Sequence, residues 1–134
     1  MTSVMVTGSR DWPNKWMVES FLIEYLGKIC PPNDTEKLLG DKPITLMNGG
    51  ATGVDEFARS FWERRNIGNI ITYTPDWAHD GADAPLRRNI TMLNQDPDHV
   101  IIFIYNNSAS SEYAAGLARK RGLNVTRVTI EEYL

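Results

Sequence analysis

Ile44-Thr45-Leu46-Met47-Asn48-Gly49-Gly50-Ala51-Thr52-Gly53-Val54-Asp55-Glu56-Phe57-Ala58 is the stretch whose reading decides the fold. Ile44 to Met47 is a short apolar run, which predicts a buried strand. Asn48 to Gly53 is the turn after it, where glycines permit positive φ and let another group approach the backbone closely. From Val54 to about Arg65 the chain reads as a helix. Val54, Phe57, Ala58, Phe61 and Trp62 follow the i, i+3, i+4, i+7, i+8 spacing of one helical face. A strand, a Gly-rich turn and an amphipathic helix in succession make up the repeating unit of an α/β domain.

The same unit recurs on both sides. Upstream, Ser3 to Val6 is an apolar run entering the turn Thr7-Gly8-Ser9. Asn14 then stands where it could cap a helix from about Lys15 to Ile29, with Val18, Leu22, Tyr25, Leu26 and Ile29 on one face. Pro31-Pro32 stops that helix, and Asn33 to Lys42 reads as a polar loop. Downstream, Ile70 to Tyr73 is a third strand, and Thr74 to Asp83 reads as a loop. Pro85 suits the first turn of a short helix running to about Asn94. Val100 to Tyr105 is apolar throughout, the mark of a strand buried on both faces. A polar turn, Asn106 to Ser111, leads into a helix from Glu112 to Arg121, which Gly122 can close with a left-handed C-cap. Val125 to Val128 is the fifth strand, and Ile130 to Leu134 reads as a last short turn of helix. This alternation predicts one three-layer α/β/α domain over 1–134, with a parallel sheet and right-handed crossovers.

A length of 134 residues suits a single domain that buries its own core. The hydrophobic share of 42% and charged share of 23% are those of an ordinary globular protein. A net charge of −3 argues against a protein that coats nucleic acid, because such binders carry a basic face. It is compatible with a small anionic ligand held by a few local groups. Cys30 is the single cysteine, so no intramolecular disulfide forms, and it reads as a buried or half-buried thiol. No run is apolar for long enough to span a membrane, and no signal peptide is evident, so the expectation is a cytoplasmic protein.

In open α/β sheets ligands bind outside the carboxyl ends of the strands, where the strand order reverses. Thr7-Gly8-Ser9-Arg10, Asn48 to Gly53 and Asn106 to Ser111 all fall at such ends, and Arg87-Arg88-Asn89 lies in the helix after the third strand. Gly49, Gly50, Ala51, Thr52 and Gly53 precede a helix whose free N–H groups and positive dipole end would hold a phosphate. The stretch is neither a Walker A loop nor the dinucleotide fingerprint, and a plain strand-to-helix turn remains the alternative. Ser9 could donate to a phosphate oxygen and Arg10 could make a bidentate contact, although Arg10 and Asp11 could equally form a surface ion pair. Leu86, Ile90 and Leu93 define the expected core face of the fourth helix, which turns Arg88 and Asn89 away toward a cleft; Arg87 is the competing cation.

Among the carboxylates, Asp55 could accept from ribose hydroxyls, while Glu56 favours the helix dipole. Glu112, just after Ser108, Ser110 and Ser111, could cap its helix, hold a ribose or act in acid–base catalysis. Trp77 and Tyr73, and also Trp12, are candidates to stack on a base, though an aromatic in a loop is more often a packing anchor. His79 and His99 form no metal-ligand cluster, so no metal site is expected.

Taken together, Val6-Thr7-Gly8-Ser9-Arg10-Asp11-Trp12, Asn48-Gly49-Gly50-Ala51-Thr52-Gly53-Val54-Asp55, Asp76-Trp77 and Ala84-Pro85-Leu86-Arg87-Arg88-Asn89 resemble the YspA-like (YpsA-related) branch of the SLOG superfamily. The resemblance covers nearly the whole chain. It implies a Rossmann-like fold with sheet order 3-2-1-4-5 and binding of nucleotides or nucleotide-derived ligands. Within the superfamily, LOG enzymes cleave the N-glycosidic bond of nucleoside monophosphates, and DprA carries a related domain that binds single-stranded DNA. Two departures stand out. Family members usually have His where this chain has Asn48, which cannot titrate near neutral pH. The LOG-type Pro-Gly-Gly-x-Gly-Thr-x-x-Glu motif is replaced by Asn106-Asn107-Ser108-Ala109-Ser110-Ser111-Glu112, which keeps the acid and loses the glycines.

These readings leave several functions in contention. The first is binding, sensing or processing of a nucleotide-derived ligand such as AMP or ADP-ribose. The second is a nucleotide N-glycosidic hydrolase, with Arg88 holding substrate and Glu112 or Asp55 assisting water. The third is a protein-interaction domain that has lost its ligand. A single-strand DNA binder ranks last because of the acidic balance. Related domains often form dimers, so a homo-oligomer is compatible with the resemblance, although the sequence shows no interface.

Overall fold

The computed structural model describes residues 2–29 and 44–131. Five strands form one parallel sheet: β1 (Thr2–Gly8), β2 (Ile44–Asn48), β3 (Ile70–Thr72), β4 (His99–Tyr105) and β5 (Val125–Ile130). Their order across the sheet is β3-β2-β1-β4-β5, the order expected from the sequence. Every neighbouring pair runs parallel, so all the carboxyl ends share one rim. The helices are α1 (Lys15–Ile29), α2 (Val54–Arg65), the short α3 (Trp77–Asp80), α4 (Ala84–Leu93) and α5 (Ala109–Lys120).

Alternation along the strands sorts the core into two layers. Val4, Val6, Ile44, Leu46, Ile101 and Phe103 face α1 and α2, meeting Val18, Leu22, Ala58 and Trp62. Met5, Met47, Val100, Ile102 and Ile104 face α4 and α5, meeting Met92, Leu93, Ala114 and Ala118. Burial on both faces accounts for the unbroken apolar run of β4. The alanine stripe of α5 lets that helix lie close against the sheet.

Four expectations need correction. The span Thr74 to Asp83 is only partly loop: it holds α3, capped by the Asp76 side chain accepting from the His79 amide at 3.1 Å, and a 3-10 turn, Gly81–Asp83. Helix α5 begins at Ala109 rather than Glu112, which puts Ser110 and Ser111 in its first turn. Ile130 belongs to β5, packed against the first core layer, and the rest of the expected terminal helix lies outside the described residues, as do Cys30, Pro31-Pro32 and the loop Asn33 to Lys42. The core face of α4 is Ala84, Arg88, Met92 and Leu93, with Leu86 and Ile90 half-buried. Arg88 is therefore turned inward.

Candidate functional site

The chain leaves β1 toward β2 and β3 on one side, then returns through α4 to β4 on the other. The strand order thus reverses between β1 and β4. A cleft of about 660 Å³ opens above this point, within the size range of small-molecule sites. The β1–α1 turn forms one wall with Thr7 to Asp11, and the start of α5 forms another with Ser108 to Ser111, Tyr113 and Ala114. Ala51 and Asp55 close the third side, and Ala82, Pro85, Leu86, Arg88 and Asn89 the fourth.

The Gly-rich turn after β2 is closed on itself. The Asp55 carboxylate folds back from the first turn of α2, and its Oδ2 accepts from the amides of Gly49 at 3.1 Å and Ala51 at 3.2 Å. The Gly50 amide donates to Asn48 Oδ1 at 2.9 Å. The expectation that these amides face a phosphate therefore needs revising, because a built-in carboxylate already takes the anion's place. Asn48 is fully buried, and its Nδ2 donates to Thr72 Oγ1 at 3.1 Å, which ties the turn to β3. Gly53 has φ 74°, and a Cβ there would run into the Arg10 carbonyl. This contact presses the β2–α2 turn against the β1–α1 turn.

Asp55 is 1% exposed, and burial raises its pKa above the ordinary value of 3.8. The Ala51 amide, the charge of Arg88, the Thr7 hydroxyl and the Gly49 amide all oppose that rise. Its Oδ1 is buried without a geometrically formed hydrogen bond, so the Thr7 hydroxyl favours the ionised form only from nearby.

Arg88 sits over the turn. It is 8% exposed. Its Nη1 donates to the Gly49 carbonyl at 2.5 Å and its Nε to Asn89 Oδ1 at 3.0 Å. A Cβ at Gly49 would overlap the guanidinium, so a larger residue there would push the Arg88 head group aside. Burial lowers the Arg88 pKa, Asp55 raises it and Arg10 lowers it, yet a guanidinium stays charged across the accessible pH range. Nη2 makes no hydrogen bond among the described residues, and Arg88 lines the cleft.

Opposite lies the start of α5. No side chain caps this helix: Ser108 is the N-cap residue, and its hydroxyl is 3.3 Å from that of Ser110 instead. The first amides of the helix have no intrahelical partner and carry its positive dipole end. Ser9 is 4% exposed; its Oγ accepts from the Tyr105 amide at 2.9 Å and lies 3.5 Å from Ser111 Oγ. That link joins the β1 and β4 exits across the switch point.

Of the residues nominated from sequence, Gly8, Ser9, Arg10, Ala51, Asp55, Arg88, Asn89, Ser108 and Ser110 line the cleft. Asn48, Gly49, Gly50, Thr52 and Gly53 lie outside the lining. Glu112 is turned to β5, where its Oε1 accepts from Arg127 Nε at 3.0 Å. Trp77 is 54% exposed and outside the lining, and Tyr73 packs against the second core layer. Trp12 is a core anchor, edge-on to Phe103 at 5.2 Å. His79 pairs with Asp80 at the surface, and His99 bonds the Tyr25 hydroxyl. The residue that sequence reading missed is Tyr113; once α5 starts at Ala109, it falls one turn after Ser110. No cluster of three or more His, Cys, Asp or Glu among the described residues could hold a metal, and no helix among them is long and apolar enough to cross a membrane.

No family model matches the chain. The chain is similar to the Gene 61 protein of Mycobacterium phage D29, with 28% identity over 129 residues that span 93% of this chain and 94% of that protein.

Proposed function

We propose that the cleft binds a nucleotide or nucleotide-derived ligand, with its phosphate between the open N-terminus of α5 and the Arg88 guanidinium. The observation that carries this reading is Arg88 itself. A cation 8% exposed is costly to bury, and among the described residues no carboxylate forms an ion pair with it, Asp55 acting only through its nearby charge. It retains free donors at a cleft whose opposite wall is an uncapped helix start. Arg10, together with the Ser108 and Ser110 hydroxyls, adds donors at the same rim. The resemblance to the SLOG superfamily supports the same reading, because three of the four motifs that carry it contribute to the lining. A nucleotide ligand and the single cysteine both fit a cytoplasmic protein.

A thermal-shift series with AMP, ADP-ribose and NAD tests the reading. A ligand present at a hundred times its dissociation constant stabilises by about 2.7 kcal/mol. No shift with any of the three would remove the phosphate site and favour a protein-interaction domain.

Glycosidic-bond hydrolysis is the second reading, and one observation favours it. Asp55 is a carboxyl on the cleft wall with a raised pKa, the direction a general acid needs. Release of free adenine from AMP by the purified protein would support it, and an inert AMP complex would leave binding alone.

A further inference from the structure

The lining of the cleft has a polar and an apolar half. Ser9, Arg88 and the α5 start are polar. Tyr113 on α5 and Ala82, Pro85 and Leu86 at the entry to α4 are the apolar half. Tyr113 is 54% exposed. It lies off the Ala114, Ala115 and Ala118 stripe that packs α5 onto the sheet, so the core does not require a ring there. It makes no hydrogen bond and no ring–ring contact among the described residues. An exposed aromatic ring on a cleft that is also lined by apolar side chains, with no partner of its own, is a surface ready for a planar group.

From this we infer that the apolar half is a nucleobase platform, with Tyr113 as the residue that separates nucleotides from plain sugar phosphates. The inference rests on the phosphate reading above. Spacing supports it. Ser110 and Tyr113 are three residues apart on one helix, so their side chains are neighbours, about 5–6 Å apart at Cβ. A phosphate at the α5 start leaves room for a sugar before the ring is reached. Ala82, Pro85 and Leu86 carry no side-chain donor or acceptor, so this half recognises the face of a base rather than its edge. Purine identity then matters little, and the presence of a base matters greatly.

Isothermal titration of wild type, Tyr113→Ala and Tyr113→Phe with AMP, GMP and ribose 5-phosphate tests the inference. The exposed position makes both variants safe for folding. AMP and GMP should bind wild type with similar affinity, each about tenfold tighter than ribose 5-phosphate, the scale of one base stacked on an aromatic ring. Tyr113→Ala should weaken AMP about tenfold and leave ribose 5-phosphate unchanged, and Tyr113→Phe should restore AMP. Equal binding of AMP and ribose 5-phosphate, or equal loss of both in Tyr113→Ala, overturns the platform while the phosphate site stands. Failure of all three ligands on wild type overturns the phosphate site and the platform with it.

Discussion

Replacing Arg88 with Met removes a buried cation while keeping much of its bulk, and the cost should depend on pH in a direction fixed by Asp55. The side chain gives up a charge-assisted hydrogen bond to the Gly49 carbonyl, worth roughly 1.5–3 kcal/mol. It also strips Asp55 of an opposing charge that holds its pKa down. The carboxyl can escape by taking a proton. That escape costs free energy at pH 7, where the carboxyl of the unfolded chain is ionised. Together with the lost hydrogen bond we expect a deficit of about 3 kcal/mol at pH 7. The sign follows from linkage. Asp55 has a higher pKa folded than unfolded, so its contribution is fully present below 3.8 and is lost as pH rises through the folded value. Arg88→Met raises that folded value further. The deficit should therefore be smaller at pH 5 than at pH 7. Urea unfolding of both proteins at the two pH values, followed by the fluorescence of buried Trp12 and Trp62, measures it. A deficit below about 0.5 kcal/mol at pH 7, the size of an ordinary surface substitution, would refute the reasoning. A deficit indifferent to pH would do the same.

Gly53→Ala forces a Cβ into the Arg10 carbonyl at a positive φ; it should destabilise by about 2 kcal/mol or more and weaken AMP by displacing Ser9 and Arg10, and a neutral thermal melt would contradict the packing of the two turns. Asn48→Ala leaves the Gly50 amide without its acceptor and frees Thr72; urea unfolding should show a loss of about 2 kcal/mol, whereas an intact midpoint would deny Asn48 its structural role. Glu112→Gln loosens a half-exposed pair with Arg127; it should cost under about 1 kcal/mol and leave the AMP thermal shift unchanged, and a lost shift would return Glu112 to the site.

The fold was legible because its signals are local. The run Ile44 to Met47, the glycines after it and the spacing of Val54, Phe57, Ala58, Phe61 and Trp62 each report on adjacent residues. Sheet order could not be read that way and came with the resemblance. Arg88 lines the cleft as expected, but its burial was not foreseen, because a count of apolar residues leaves an arginine off the core face. On α4 the inner face spans both core and cleft, so Ala84, Arg88 and Met92 share it. Asp55 looked like a ribose acceptor from its place in the first turn of α2, and only the fold reveals that its carboxylate turns back onto Gly49 and Ala51. Trp12 looked like a loop aromatic; its partner Phe103 is remote in sequence and adjacent only through the pairing of β1 with β4. Tyr113 was hidden by starting α5 three residues late.

The central claim is that an anion binds at the start of α5 and not in the Gly-rich turn that Asp55 already fills. An amide-resolved NMR titration with AMP locates it directly. The largest shifts should fall at the Ala109, Ser110 and Ser111 amides, with Gly49, Gly50 and Ala51 moving little. Shifts concentrated at Gly49 to Ala51, or no saturable shift at the α5 start, would contradict it.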